Sequence, residues 1–167
     1  MKRLFTSCFG LGLLPVAPGT WGSLPAAVVF GLLGQFMVDG WIIAIVMAGL
    51  IILGSFVCVK FGPAVAAMSE KEDPGEIVAD ELAGQAVTFL AVPLASMGEL
   101  SAGGAWMVAA AGFILFRIFD ISKPWPIKRI EKLPGGWGIL FDDILAGVYA
   151  AAVLMAGVLV LAGWKLN

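Results

Sequence analysis

Apolar and polar positions alternate along this chain in long blocks, and nearly all the charge falls in two of the polar ones. After an apolar opening at 4–16, the string PVAPGTWG is expected to break any helix. Five apolar segments follow, at 23–38, 41–59, about 82–97, 105–119 and 144–164. Those at 41–59 and 144–164 have the run of roughly 18 or more apolar residues that reads as a membrane span. The weakest is 82–97, which is short, contains Gln85 and Pro93, and either crosses or re-enters. The pattern predicts an all-α polytopic membrane helical bundle of about five apolar segments (four to six), forming one domain over 1–167.

Composition agrees. The 167 residues are 60% hydrophobic and 13% charged, whereas a soluble domain is about 45–50% apolar and about 25% charged. A net charge of −2 without a long basic cluster argues against a nucleic-acid surface. Cys8 and Cys58 fit no metal or disulfide spacing and are expected to pack as small apolar residues. The opening MKRLFTSCFGLGLLPVA imitates a signal peptide, but the following APGTWGS reads as part of the working protein.

The connections between segments are unequal. Asp39-Gly40 is a tight hairpin and 98–104 holds one charge, Glu99, whereas 60–81 and 117–143 hold most of the rest. If the N-terminus is cytoplasmic and each of the five segments crosses once, nine of the ten Lys and Arg residues lie inside, with Lys165 alone outside. That is the asymmetry expected of a cytoplasmic polar face.

Three acidic groups stand at segment ends. In DPGEIVADELAGQ, Asp73, Pro74 and Glu76 form a helix-start signature that predicts a helix from Pro74. Asp80 and Glu81 would then lie about 10 Å along its axis, too deep to cap it. They read either as a solvated face or, because Leu82 onward enters the membrane, as functional carboxylates. Asp120 ends a predicted helix, where the backbone dipole disfavours it, and Arg117 shares its face. The two form either a plain surface pair or a cation site beside an anion-binding arginine. Lys123 precedes Pro124, so that helix should end there. Asp142 and Asp143 open the last apolar segment, and one of them could be only a cap. The segments Asp80-Glu-Leu-Ala-Gly84 and Asp143-Ile-Leu-Ala-Gly147 each place a carboxylate one turn before a glycine that would permit close helix approach. The strings APGTWG and PGGWG read as glycine-rich loops, either plain crossings or sources of N–H groups for phosphate, with Thr20 and Ser23 as hydroxyl donors.

The absences narrow the chemistry. No histidine is present, neither cysteine has an arginine six positions later, and Asp-x-Asp does not occur. Four aspartates and a glutamate near two cations remain, and hard oxygen ligands of this kind suit Mg²⁺. Such an ion polarises a phosphoryl oxygen while Arg and Lys offset charge on the transferring group.

APGTWGS, DPGEIVADELAGQ, FRIFDISKPWPI and GGWGILFDDILAG, in this order with apolar segments between, resemble the phosphatidylglycerophosphatase A family. The resemblance covers about residues 10–153. It implies a Mg²⁺-dependent hydrolase at the cytoplasmic face of a bacterial inner membrane, converting phosphatidylglycerophosphate to phosphatidylglycerol in anionic phospholipid biosynthesis. On that basis Asp80, Glu81, Asp120, Asp142 and Asp143 are expected to gather as a Mg²⁺ site, with Glu81 also catalytic. Arg117 and Lys123 would hold the phosphomonoester, assisted by Gly19, Thr20, Gly22 and Ser23. A water activated by the metal attacks phosphorus, with a covalent aspartyl-phosphate left open. The expected partners are the lipid substrate and the bilayer, and a homo-oligomer is compatible with the sequence. A CDP-lipid-dependent headgroup transferase would also use Mg²⁺ and membrane-boundary aspartates, but its Asp-Gly, Ala-Arg string is absent. A small ion carrier would place its charges near mid-membrane rather than at segment ends.

Overall fold

The structure, a computed structural model, describes residues 1–69, 74–93, 101–131 and 133–165. Seven α-helices and no strand occur among them: α1 (Lys2–Thr6), α2 (Pro18–Gln35), α3 (Gly40–Ser69), α4 (Ala79–Leu90), α5 (Ala102–Ser122), α6 (Ile127–Ile130) and α7 (Gly136–Lys165). Asp73 as a cap, and the charges of Lys71, Glu99 and Lys132, lie outside the described residues.

α3, α5 and residues Gly136–Val160 of α7 are each long and apolar enough to cross a membrane. The other two expected segments do not reach that length and composition among the described residues, and 94–97 of the second lie outside them. α2 is 18 residues diluted by four glycines and two prolines. α4 is 12 residues, about 18 Å at 1.5 Å per residue, against a hydrocarbon core of about 30 Å. The three long helices turn large apolar side chains outward, among them Ile52, Phe56, Ile114, Ile118, Val153 and Leu159. Apolar faces of this kind are compatible with lipid contact.

α4 is the hub. It packs against α2, α3, α5 and α7, and none of its residues is exposed. Small residues let its neighbours approach, as in membrane helix packing. A β-carbon on Gly84 would stand 2.5 Å from the Asp143 carbonyl oxygen, and one on Gly147 would run into the Gly84 carbonyl. The two Leu-Ala-Gly echoes therefore meet each other at the α4–α7 crossing. Gly54 admits the Ala79 carbonyl in the same way, and Gly112 admits the Phe89 ring. Phe89 stacks on Phe30 of α2 with centroids 4.4 Å apart, inside a cluster with Ala26, Met47 and Ala86.

Three helix starts differ from expectation. The helix expected at Pro74 begins at Ala79: Pro74 starts a turn closed by Ile77 N–H, and Val78 N–H donates to the Thr6 carbonyl of α1 at 2.8 Å. Asp80 and Glu81 are therefore first-turn residues, where the helix dipole favours negative charge. The APGTWG string breaks the chain only before Pro18. Pro18 itself opens α2, so Gly19, Thr20, Gly22 and Ser23 are helical rather than loop residues. α7 starts at Gly136 and absorbs most of PGGWG, placing Asp142 and Asp143 well inside it rather than at its cap. The end of α5 is as expected: Ser122 closes it and Lys123 takes a left-handed conformation at φ 41°.

Candidate active site

α2, α4 and α7 begin at one end of the bundle and α3 and α5 finish there, so every acidic group discussed below collects at that end. The first turn of α4 brings in Asp80 and Glu81, and the second turn of α7 brings in Asp143 across the glycine crossing. One carboxylate oxygen from each of the three lies within 4.8 Å of the other two. Asp80, Asp142 and Asp143 are 4–5% exposed. Glu81 keeps some surface at the rim, but its Oε2 is sealed from solvent and has no hydrogen-bond partner. Burial first, and the Asp143 carboxylate second, push the Glu81 carboxyl well above the ordinary range. Carboxylates so close in a low-dielectric site repel one another unless a cation joins them. The hard-oxygen trio fits a metal ion on those grounds.

The other expected residues surround the trio in pairs. Arg117 Nη1 meets Asp120 Oδ2 at 2.6 Å, the i, i+3 pair anticipated on α5. Asp120 also interacts with Asp143, so it joins the arginine to the carboxylate trio. Asp142 is held by Lys123, whose Nζ lies 2.8 Å from Asp142 Oδ2 and 2.9 Å from Glu131 Oε1. Burial alone would lower the Lys123 ammonium, but its hydrogen bonds to Asp142 and Glu131 outweigh that and push it up. Glu131 was not singled out from the sequence, because an acidic residue in a mixed-charge stretch carries no signal of its own.

The α2 residues take unequal parts. Gly19 is buried against the site: a β-carbon there would strike the Glu81 carboxylate and stand 2.9 Å from Arg117 Nη1. Thr20 is half-buried beside it. Gly22 packs on Val78 instead, and the Ser23 hydroxyl donates back to the Gly19 carbonyl at 2.9 Å and to the Thr20 carbonyl at 3.2 Å. Gly22 thus serves the contact with the start of α4, and Ser23 is hydrogen-bonded within α2. Gln85 was noted in the sequence only as an interruption of an apolar segment. It is fully buried one turn beyond Glu81, with neither amide atom hydrogen-bonded.

A cleft of about 490 Å³, lined by residues that include Arg3, Pro18, Ser69 and Glu76, has none of the trio in its lining. An ion pair, Arg3 Nη2 to Glu76 Oε2 at 2.6 Å, crosses part of it. The ensemble gathers three buried or half-buried carboxylates and brings one guanidinium close to Gly19, which Glu81 also adjoins. That arrangement can hold a metal ion and an anionic group together.

The family described as Phosphatidylglycerophosphatase A matches residues 4–158. The chain is 40% identical over 149 residues to Phosphatidylglycerophosphatase A of Haemophilus influenzae, covering 89% of this chain and 83% of that one. It is 40% identical over 147 residues to the Escherichia coli K12 protein of the same name, covering 87% and 77%. A Bacteroides thetaiotaomicron protein with the provisional name phosphatidylinositol-3-phosphatase is 37% identical over 142 residues, covering 85% and 84%. No solved structure matches the chain.

Proposed function

Since this chain belongs to the phosphatidylglycerophosphatase A family, we propose that it hydrolyses phosphatidylglycerophosphate with a Mg²⁺ ion held by Asp80, Glu81 and Asp143. It is a lipid phosphatase, a phosphoric monoester hydrolase, and family membership displaces the transferase and ion-carrier alternatives. The observation that carries the metal reading is the convergence of three carboxylate oxygens within 4.8 Å. Oxygen donors of this hardness suit Mg²⁺.

When bound, the ion supplies Lewis acidity toward a phosphoryl oxygen and makes water a better nucleophile. Arg117 binds the terminal phosphate, and its pair with Asp120 fixes the guanidinium so that little reorganisation is needed on binding. Gly19 leaves room for that phosphate beside Glu81. Glu81, the carboxylate at the rim, receives the proton that the attacking water releases. The phosphorus–oxygen bond to the glycerol breaks as the water oxygen bonds to phosphorus. The departing glycerol oxygen takes a proton from solvent at the headgroup plane while Glu81 returns its own to solvent, giving phosphatidylglycerol and inorganic phosphate. Lys123 holds Asp142 in place and adds positive charge at the edge of the phosphate site.

The site is proposed to face the cytoplasm, supported by the collection of Arg3, Arg117, Lys123, Lys128 and Arg129 near one end of the bundle. Phosphate release in Mg²⁺-containing detergent micelles is the test. Alanine at Asp80 or Asp143 is expected to lower turnover by about 100-fold or more. Near-normal turnover in Asp80→Ala, or in Asp120→Ala, would sink the site. The Bacteroides relative's name favours one competing headgroup, phosphatidylinositol 3-phosphate. Faster release from that lipid than from phosphatidylglycerophosphate would reassign the substrate.

A further inference from the structure

We propose that Gln85 is a positioning residue of this reaction, linking Glu81 to Arg117 through ordered water; the proposal rests on the metal-site reading above. Gln85 lies in α4 and has no exposed surface. Both its amide oxygen and its amide nitrogen are without a hydrogen-bond partner. Leaving a buried amide unmet is costly, and such groups in folded proteins nearly always have a partner or a bound water. Among the other sealed atoms that share that condition are Glu81 Oε2 and Arg117 Nε.

Position brings the three together. Gln85 follows Glu81 by four residues in one helix, so the two side chains share a face. Glu81 and Arg117 both come up against Gly19. The hydrogen-bonding capacities are complementary: Arg117 Nε and Gln85 Nε2 donate, while Glu81 Oε2 and Gln85 Oε1 accept. They make no direct hydrogen bonds to one another, so the link passes through water. Buried waters typically make about three hydrogen bonds to groups of this kind. The amide thereby sets the angle of the Glu81 carboxylate relative to the guanidinium that binds phosphate, without touching the substrate.

Gln85→Met tests this, because methionine keeps the length and loses the hydrogen bonds. The purified full chain would be assayed in Mg²⁺-containing micelles. The expected result is a kcat at least about tenfold lower, with KM and the Mg²⁺ half-saturation within about twofold of wild type, and an unchanged or higher melting temperature. Gln85→Asn, which retains an amide, is expected to recover part of the lost kcat. Wild-type kcat in Gln85→Met overturns the proposal, as does a raised Mg²⁺ requirement, which would make Gln85 a metal ligand instead. An asparagine variant no better than methionine also overturns it. Should the methionine variant not fold, Gln85→Leu takes its place, and wild-type kcat there overturns the proposal. Asp80→Ala in the same assay separates the two readings. Lost activity there beside a normal Gln85→Met condemns only the role of Gln85, whereas retained activity condemns the metal site.

Discussion

At Gly19 a hydrogen atom stands where any other residue would push a β-carbon into the Glu81 carboxylate and the Arg117 guanidinium. Gly19→Ala is therefore expected to fold normally and lose about 10- to 100-fold in kcat, since displacements of about 1 Å cost that much. Phosphate release together with a thermal melt measures both, and wild-type kcat would show that the pair is not part of the machinery. Lys123 supports a statement about pH. Its folded pKa is raised, so the stability it contributes is fully present below the unfolded value of about 10.4 and is lost only as pH rises through the higher folded one. The melting-temperature deficit of Lys123→Met is thus expected to be the same at pH 6 and pH 9. A deficit that shrinks between them would contradict the pairing. The carboxylates that the structure gathers were legible at this scale, because removing histidine and cysteine chemistry left few candidates. Pairing was legible only within one helix, for Arg117 with Asp120. That Asp142 belongs to Lys123 depends on how α7 lies against the end of α5, and Gln85 gave only the signal of an amide four positions after a carboxylate.

Among the elements, α4 and α7 cross backbone to backbone at Gly84 and Gly147. Gly147→Ala is expected to part them and destabilise the chain by about 1–3 kcal/mol, the usual cost of overpacking. Turnover should fall with it, because Asp143 is carried away from Asp80. Denaturation in detergent is the measurement, and an unchanged midpoint would refute the close crossing. The repeated Leu-Ala-Gly strings hinted at this contact. The start of α4 was hidden, because the bond from Val78 to Thr6 joins residues far apart in sequence. The start of α7 was hidden too. Gly136 and Gly138 have poor helix propensity, yet Gly136 is held in the helix where a β-carbon would meet the Cys58 carbonyl at 3.0 Å. Packing there overrides propensity.

For the whole molecule, the proposed orientation puts Asp39 and Lys128 on opposite sides of the membrane. In spheroplasts, an impermeant maleimide should label a cysteine at Asp39 directly and one at Lys128 only after permeabilisation. The reverse result would invert the topology. The native thiols should give little background. Burial first, and the charge of Asp80 second, raise Cys8 to about 11, so at pH 7.5 fewer than about one in a thousand is thiolate. Cys58 has no exposed surface. Helical class and membrane character were plain from apolar block length, whereas the central place of α4, packed against four other helices, was not.

The place of the glycine crossing along α7 has a mechanical consequence. Membrane helices adjust to bilayer thickness by tilting, and α7 is clamped to α4 at Gly147, four residues from Asp143. A tilt of about 10° about that fulcrum moves Asp143 by roughly 1 Å, since four residues span about 6 Å. Thirteen residues further on, Val160 lies on a lever arm about three times as long and sweeps about three times as far. The carboxylates occupy the short arm, where changes in the surrounding lipid are geared down before they reach the chemistry.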